Sequence, residues 1–425
     1  MKKYHYKLVV LCLLTLLHLP SLAQTSYLLR PDRVFDGKEL HTNWVVWVKG
    51  NRIEAVGTGA SMPAEARQAQ VLGLKGMTLL PGLIEGHSHL FLHPYNETPW
   101  DEQILKEPRS YRTARAVKHA ESTLMAGFTT VRDLGTEGAE YDDYGLKKAI
   151  NEGVIPGPRM IIATKALIAT GSYAPKGFSP DIEVLQGAEE ADGHDNLIRA
   201  VRTQIGKGAD VIKIYADYRW GVNGEARPTF SEDEIRLVVE TARSSGRPVV
   251  AHAATPEGMR RAIMGGVETI EHGDGGTPEI WKLMKEKDVA LCATLAAGDA
   301  ISQYRGWQKG VTPEPERITL KKKSFKEAYD AGVKMVMGGD VGVYAHGTNA
   351  REMELLVEYG VSTLEVLQYA TSDNARIFHK EKEIGSIKTG LLADLIAVEG
   401  NPVTDITNLR KIKLVMKDGK LYKIP

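Results

Sequence analysis

Cysteine is nearly absent from this sequence: Cys12 and Cys292 are the only two among 425 residues. Cys12 lies in a segment that reads as a removable leader, so no disulfide framework can hold the mature fold together. An excess of charge of either sign is also missing. Lys plus Arg and Asp plus Glu both number 54, so no basic field exists to attract nucleic acid or anionic lipid. Beyond the N-terminus no run approaches the ~20 apolar residues that span a bilayer. What remains is 43% hydrophobic and 25% charged. That composition excludes a disordered chain, and the length allows one large catalytic domain with a smaller companion.

The first residues differ from the rest. Lys2, Lys3 and Lys7 precede an apolar run from Leu8 to Leu19, and Pro20, Ser21, Leu22 and Ala23 follow. A basic segment, a short greasy core and a Ser-x-Ala step read as a secretory signal over 1–23, cleaved after Ala23. The run is short for a membrane anchor. Export to a periplasm or to the medium is therefore expected, with no membrane association after cleavage.

Residues 24–80 are strand-rich, and Gly50–Asn51 sits between the β-prone runs Val45–Val48 and Ile53–Val56. Residues 381–425 look alike, with Asp418–Gly419 between Ile412–Met416 and the last strand. Both dipeptides are hairpin signals. The two ends thus read as one small β domain interrupted by a long insert, 81–380.

Within the insert, strand and helix patterns alternate. Expected strands are Leu83–His87, Thr129–Asp133, Arg159–Ala163, Asp210–Ile214, Pro248–His252, Glu268–His272, Val289–Thr294 and Lys334–Gly338. Helical patterns fill most gaps. Over Ser231–Gly246, Ser231 and Glu234 form a capping box, Ile235, Val238, Val239 and Ala242 an apolar face, and Gly246 a stop. Eight such units suggest a (β/α)₈ barrel, although periodicity alone also allows an open doubly wound sheet.

The positions of metal-type residues favour the barrel. His87 and His89 are two apart at the end of a strand, where alternate side chains share a face. His252, His272 and Asp340 each stand at the carboxyl end of a different apolar strand, where barrel active sites form. Lys213 lies in the apolar stretch Ala209–Tyr215. Burial drives a lysine toward its neutral amine. A neutral amine can take up CO₂ as a carbamate and bridge two metal ions, whereas an ordinary buried lysine pairs with a carboxylate. His87, His89, Lys213, His252, His272 and Asp340 are the expected metal ligands.

Several motifs together resemble the amidohydrolase superfamily, in particular its branch of imidazolonepropionase-like enzymes and Xaa-Pro dipeptidases. They are Leu80-Pro-Gly-Leu-Ile-Glu-Gly-His-Ser-His89, Gly127-Phe-Thr-Thr-Val-Arg-Asp133, Gly208-Ala-Asp-Val-Ile-Lys-Ile-Tyr215 and Gly266-Val-Glu-Thr-Ile-Glu-His-Gly273. Gly338-Gly-Asp340, His346-Gly-Thr-Asn349 and Gly390-Leu-Leu-Ala-Asp-Leu395 complete the set. The resemblance covers the mature chain. It implies an α/β protein: a (β/α)₈ TIM barrel with a small composite β-sandwich formed by both termini. It also implies zinc or a similar divalent metal, one or two ions, and carboxylation of Lys213.

Two positions depart from the dipeptidase pattern. Gly171, Ser172 and Tyr173 replace a histidine that commonly follows a glycine pair, and Ala254 stands where Tyr or His often polarises the carbonyl. Tyr173, Tyr215, Tyr218 and His346 are then the substrate-binding candidates. The expected activity is hydrolysis of amide or dipeptide carbon–nitrogen bonds by metal-activated hydroxide, with Asp340 as general acid and base. The alternatives are a cyclic amide or imine hydrolase, a deaminase, a lactone or ester hydrolase, and a binding protein on an inactive barrel. The expected partner is a small molecule or dipeptide, and a homo-oligomer stays open.

Other features read as structural. Lys321–Lys322–Lys323 fits a solvated helix face, and Gly273–Gly276 a loop after the sixth strand. Met259, Met264 and Met335 fit core packing. Asp32, Asp36 and the other charges of the terminal segments fit the surface.

Overall fold

The computed structural model describes residues 25–425; the expected leader and Cys12 fall outside them. Eight central strands follow one another: β1 (Leu83–Ser88), β2 (Phe128–Asp133), β3 (Arg159–Ile162), β4 (Ile212–Tyr215), β5 (Val249–Ala253), β6 (Thr269–His272), β7 (Ala290–Cys292) and β8 (Met335–Val336). Strands β1 to β3 pair in parallel in one sheet, and β4 to β8 pair in parallel, in order, in another. Backbone bonds also join the sheet margins. Asp210 N–H donates to Ile162 O at 2.8 Å on one side, and Gly86 N–H to Met337 O at 3.0 Å on the other.

A helix lies between each consecutive strand pair, among them Arg109–Met125, Asp142–Asn151, Gly193–Gly206 and Glu232–Arg243. These helices cover the sheets, which explains why the strands are apolar runs rather than alternating ones. The helix Glu232–Arg243 forms because Ser231 accepts from Glu234 N while the Glu234 side chain caps Ser231, and Ile235, Val238, Val239 and Ala242 are buried. β7 and β8 are shorter than expected. After β7, Thr294 takes φ 51°. After β8 the chain presses against its neighbours, since a Cβ at Gly338 would lie 2.7 Å from both Cys292 Sγ and His87 N.

The two ends of the chain share one eight-stranded sheet. Its seam is the antiparallel pairing of Leu395–Glu399 with Gln70–Pro81, Leu395 opposite Pro81. Trp44–Lys49 and Arg52–Thr58 form one expected hairpin, Ile412–Lys417 and Lys420–Lys423 the other. Asp418 and Gly419 have φ of 49° and 71°, the left-handed pair that a tight hairpin turn needs. Leu29, Val46, Leu79, Leu395 and Leu414 are among the residues of this sheet's own buried cluster.

Two expectations are corrected here. Met264 is 37% exposed, because it lies off the face that buries Met259, Ala262 and Ile263; Met259 and Met335 are core. Asp394 and Lys417, expected at the surface with the other terminal charges, are buried. Arg159 of β3 reaches Asp394 at 3.3 Å and Asp418 at 2.7 Å, tying the terminal sheet to the central strands.

Glu352, in the helix Ala350–Glu358, caps another helix. Its carboxyl accepts from Leu295 N at 3.1 Å and Ala296 N at 2.6 Å, in the first turn of Leu295–Tyr304. Burial pushes its pKa up to about 8 despite those bonds. A carboxyl whose folded pKa is raised favours the folded state most at low pH. Its contribution fades as pH rises from 4.5 through about 8, by up to ~1.4 kcal/mol per pH unit. Glu352→Gln, which keeps an acceptor, should therefore gain stability relative to the parent between pH 5 and 9, as read by denaturant melts; a constant difference rules this out.

Candidate metal centre

The ends of β1, β5, β6 and β8 bring ligand-type side chains to one point. His87 and His89 flank Ser88, so the strand pleat turns both rings the same way. Their Nε2 atoms stand 3.6 and 3.4 Å from Asp340 Oδ1. Ligand atoms of His87, His272 and Asp340 all lie within 4.8 Å of one another. The His252 ring centroid is 4.5 Å from that of His272. His272 and Asp340 have φ of 74° and 61°, a left-handed conformation uncommon outside glycine, which turns each side chain off its strand axis.

Three of the four imidazoles are held from behind by hydrogen bonds. His87 Nδ1 donates to Glu271 Oε2 at 2.8 Å and His89 Nδ1 to Gly135 O at 2.8 Å. With carbonyl and carboxylate acceptors there, the proton sits on Nδ1 and Nε2 keeps its lone pair for an ion. His272 Nδ1 is 2.8 Å from Thr294 Oγ1. His252 turns Nε2 toward Asp217 Oδ1 at 3.7 Å, leaving Nδ1 on the other side. Burial, and then the Lys213 charge, pushes the His252 pKa down to about 3. Neutral rings are the form that binds metal.

Lys213 of β4 is buried, and burial lowers its ammonium pKa. Among the described residues, no carboxylate oxygen stands within 4.0 Å of its Nζ. The paired-lysine arrangement is thus missing. The residues fit a divalent metal: four imidazoles and a carboxylate supply the N and O donors such ions take, with oriented outer partners.

These groups stand beside a cavity of about 400 Å³. Tyr173, Tyr215 and Tyr218 line it, as do Glu137, Arg219, Arg305 and Arg317. His346 does not. Its ring stacks on His119 at 4.3 Å, its Nε2 bonds Leu92 O at 3.0 Å, and it lines a separate groove. Its expected substrate contact is corrected accordingly. Lys321 is corrected too: far from a solvated face, its side chain is 11% exposed, reaches His272 O at 2.6 Å and Asp274 Oδ1 at 2.5 Å, and lines the cavity. Lys322 and Lys323 do lie on the outer side of that helix, at 35% and 73% exposure.

Glu271, Arg132, Asp217 and Glu137 had no assigned role in the sequence. Glu271 and Arg132 carried a signal, since each is a charged residue inside an expected central strand. Asp217 and Glu137 lie just past β4 and β2, where no periodicity points to them.

Parallel strands whose ends gather histidines and an aspartate beside a cavity form a site that could hold a divalent metal. The chain belongs to the amidohydrolase family, whose profile matches residues 78–422, and it is a hydrolase acting on carbon–nitrogen bonds. It is 30% identical to ochratoxinase of Aspergillus niger over 421 residues, 92% of this chain and 85% of that one. A Xaa-Pro dipeptidase crystallised with methionine in its active site superposes with a TM-score of 0.83 at 33% identity, over 94% of this chain and all of the other. Imidazolonepropionase of Bdellovibrio bacteriovorus is 24% identical, over 83% of this chain and 82% of its own length.

The outer carboxylate sets a test. Glu271→Gln should weaken metal binding ~10- to 100-fold in chelator competition. Unchanged affinity would show that His87 needs no such support.

Proposed function

We propose that this chain is an exported, metal-dependent hydrolase of amide bonds in small substrates that carry a free carboxylate, dipeptides or N-acyl amino acids. The margin hydrogen bonds support a closed (β/α)₈ barrel as its scaffold. The carrying observation is the meeting of His87, His89, His252, His272 and Asp340 beside one cavity. Zinc or a similar divalent ion, one or two, suits this nitrogen and oxygen set, with Lys213 joining as a carbamate. A bound ion lowers the pKa of water and polarises a carbonyl oxygen.

The side chains carry the rest. Asp340, whose Oδ1 stands 3.6 and 3.4 Å from the Nε2 atoms of His87 and His89, accepts a proton from attacking water and delivers it to the leaving nitrogen. Tyr173 directs its hydroxyl at Glu137, and Tyr215 shares its own between the Tyr173 hydroxyl at 3.3 Å and Glu137 at 3.4 Å, which leaves Tyr218 to hydrogen-bond the scissile carbonyl. Arg219 and Arg305 have no carboxylate within 4.0 Å among the described residues, and Arg317 has only Asp274 at 3.9 Å. These guanidinium groups suit a substrate carboxylate. The basic N-terminal segment supports export.

Asp340→Asn should keep the fold and much of the metal yet lose ~10²-fold or more in turnover. Full activity in that variant removes the proton-carrying role. Native mass spectrometry of protein grown with added bicarbonate should show an increment of one CO₂ that Lys213→Arg abolishes. Purified protein offered dipeptides, N-acyl amino acids and lactones should cleave the amides; lactone cleavage alone overturns the reading.

A further inference from the structure

Glu137 is a cavity-lining acid that the proposed mechanism leaves without a use. It follows β2 at φ 50° and is 2% exposed. Every side-chain bond it receives comes from a neutral donor. Tyr173 OH donates to Oε2 at 2.6 Å and Trp100 Nε1 to Oε2 at 2.9 Å, while Tyr215 OH makes a long contact with Oε1 at 3.4 Å. Oε1 therefore retains acceptor capacity, and Glu137 lines the cavity. No Lys, Arg or His nitrogen lies within 4.0 Å of the carboxylate among the described residues. The buried guanidinium of Arg112 is engaged by Phe91 O and Thr136 O instead.

No cation bonds this buried carboxylate directly, although the Arg112 and Lys213 charges act on it from beyond contact; a ligand cation within hydrogen-bond reach would pair with it. The surroundings suit one. Tyr173 packs against Trp100, Tyr215 and Tyr218 at centroid distances of 5.0, 4.6 and 4.7 Å. Aromatic rings around a carboxylate attract an alkylammonium through their π faces. The Tyr215 ring also stacks on His252 at 4.6 Å. One tyrosine thus packs its face on a candidate metal ligand and reaches Glu137 with its hydroxyl, so a single side chain spans the distance between the two.

We infer that Glu137 and its aromatic surround bind the free α-ammonium of an unblocked dipeptide and select it over the N-acyl amino acids that the same metal site could cleave. This rests on the hydrolase reading above. With the arginines taking the carboxylate, the cavity then matches a zwitterion.

The test uses matched amides in the metal-loaded enzyme: alanyl-leucine against propionyl-leucine, which lacks only the amino group, and the same pair ending in Phe, Met and Pro. The free dipeptide should win by ~10- to 100-fold in kcat/KM, the range for one charged hydrogen bond. Nα-acetyl-lysyl-leucine, whose ammonium is remote, should not recover the advantage. In Glu137→Gln the alanyl-to-propionyl ratio should collapse toward one, and in Glu137→Asp it should fall between the two. If the glutamine variant does not fold, the aspartate variant and the wild-type ratio still decide. Equal rates on alanyl and propionyl amides, rescue by the remote ammonium, or an unchanged ratio in a folded variant each overturn the Glu137 assignment alone. If no amide is cleaved by metal-loaded enzyme, the hydrolase reading falls as well.

Discussion

The contact between Glu271 and His87 is the constraint around which the site is arranged. The Glu271 carboxylate has no exposure, and it meets His87 Nδ1 on one oxygen and Arg132 on the other, each at 2.8 Å. Thr269 adds a hydroxyl to the second oxygen. An isolated buried carboxylate would be strongly disfavoured, and here a cation and two further donors compensate it. Arg132 is fixed in turn: its Nε donates to Gly86 O at 2.7 Å, and its guanidinium lies 4.4 Å from the Phe378 ring centroid. Strands β1, β2 and β6 are therefore locked together by side chains directly beneath the first metal-type pair. His87 acquires its tautomer and direction from that lock.

A second carboxylate works in the same way across β1 and β8. Glu85 accepts from His87 N at 3.1 Å and Gly339 N at 2.8 Å, and from Asn349 Nδ2 at 2.9 Å. Burial pushes its pKa up to about 7. One acid thus fixes the backbone leading into both His87 and Asp340. The close approach at Gly338 depends on the same seam, since a side chain there would strike β1 and Cys292. Placement of the ligands is a property of buried charges between strands as much as of the strands themselves.

This explains what could be read from the residues beforehand. The eight strands were legible, and so was the gathering of His87, His89, His252, His272 and Asp340 beside one cavity, because a ligand-type residue closes each of those strand segments. The hairpins at Gly50–Asn51 and Asp418–Gly419 were legible through turn chemistry. Long-range contacts were not. Lys321 looks like part of a basic helix face, and only the fold carries its ammonium to His272 O. His346 follows Asp340 by six residues, yet the loop turns it toward Leu92 and His119. Met264 missed the core by one position on its helix. Asp394 is buried by a partner on β3, far away in the chain, and no local pattern can announce such a partner. Glu137 has the same difficulty, since its meaning lies in three aromatic donors from three other segments.

Backbone strain follows the same geography. Non-glycine residues with left-handed φ stand just after or at the end of five central strands: Glu137, Thr164, His272, Thr294 and Asp340. Such conformations cost ~1–3 kcal/mol each where nothing compensates them. Their gathering at strand ends on the cavity side means that the apolar strands supply stability and the strained ends supply direction. Thr294 shows the division plainly: its φ of 51° presents Oγ1 to His272 Nδ1 at 2.8 Å, so one strained residue orients another. Ligand geometry is thereby set by backbone joined to a rigid core, with little left to side-chain rotation. A metal arriving at such a site meets donors already aimed, and the ordering of those donors is part of the folding free energy rather than of the binding step.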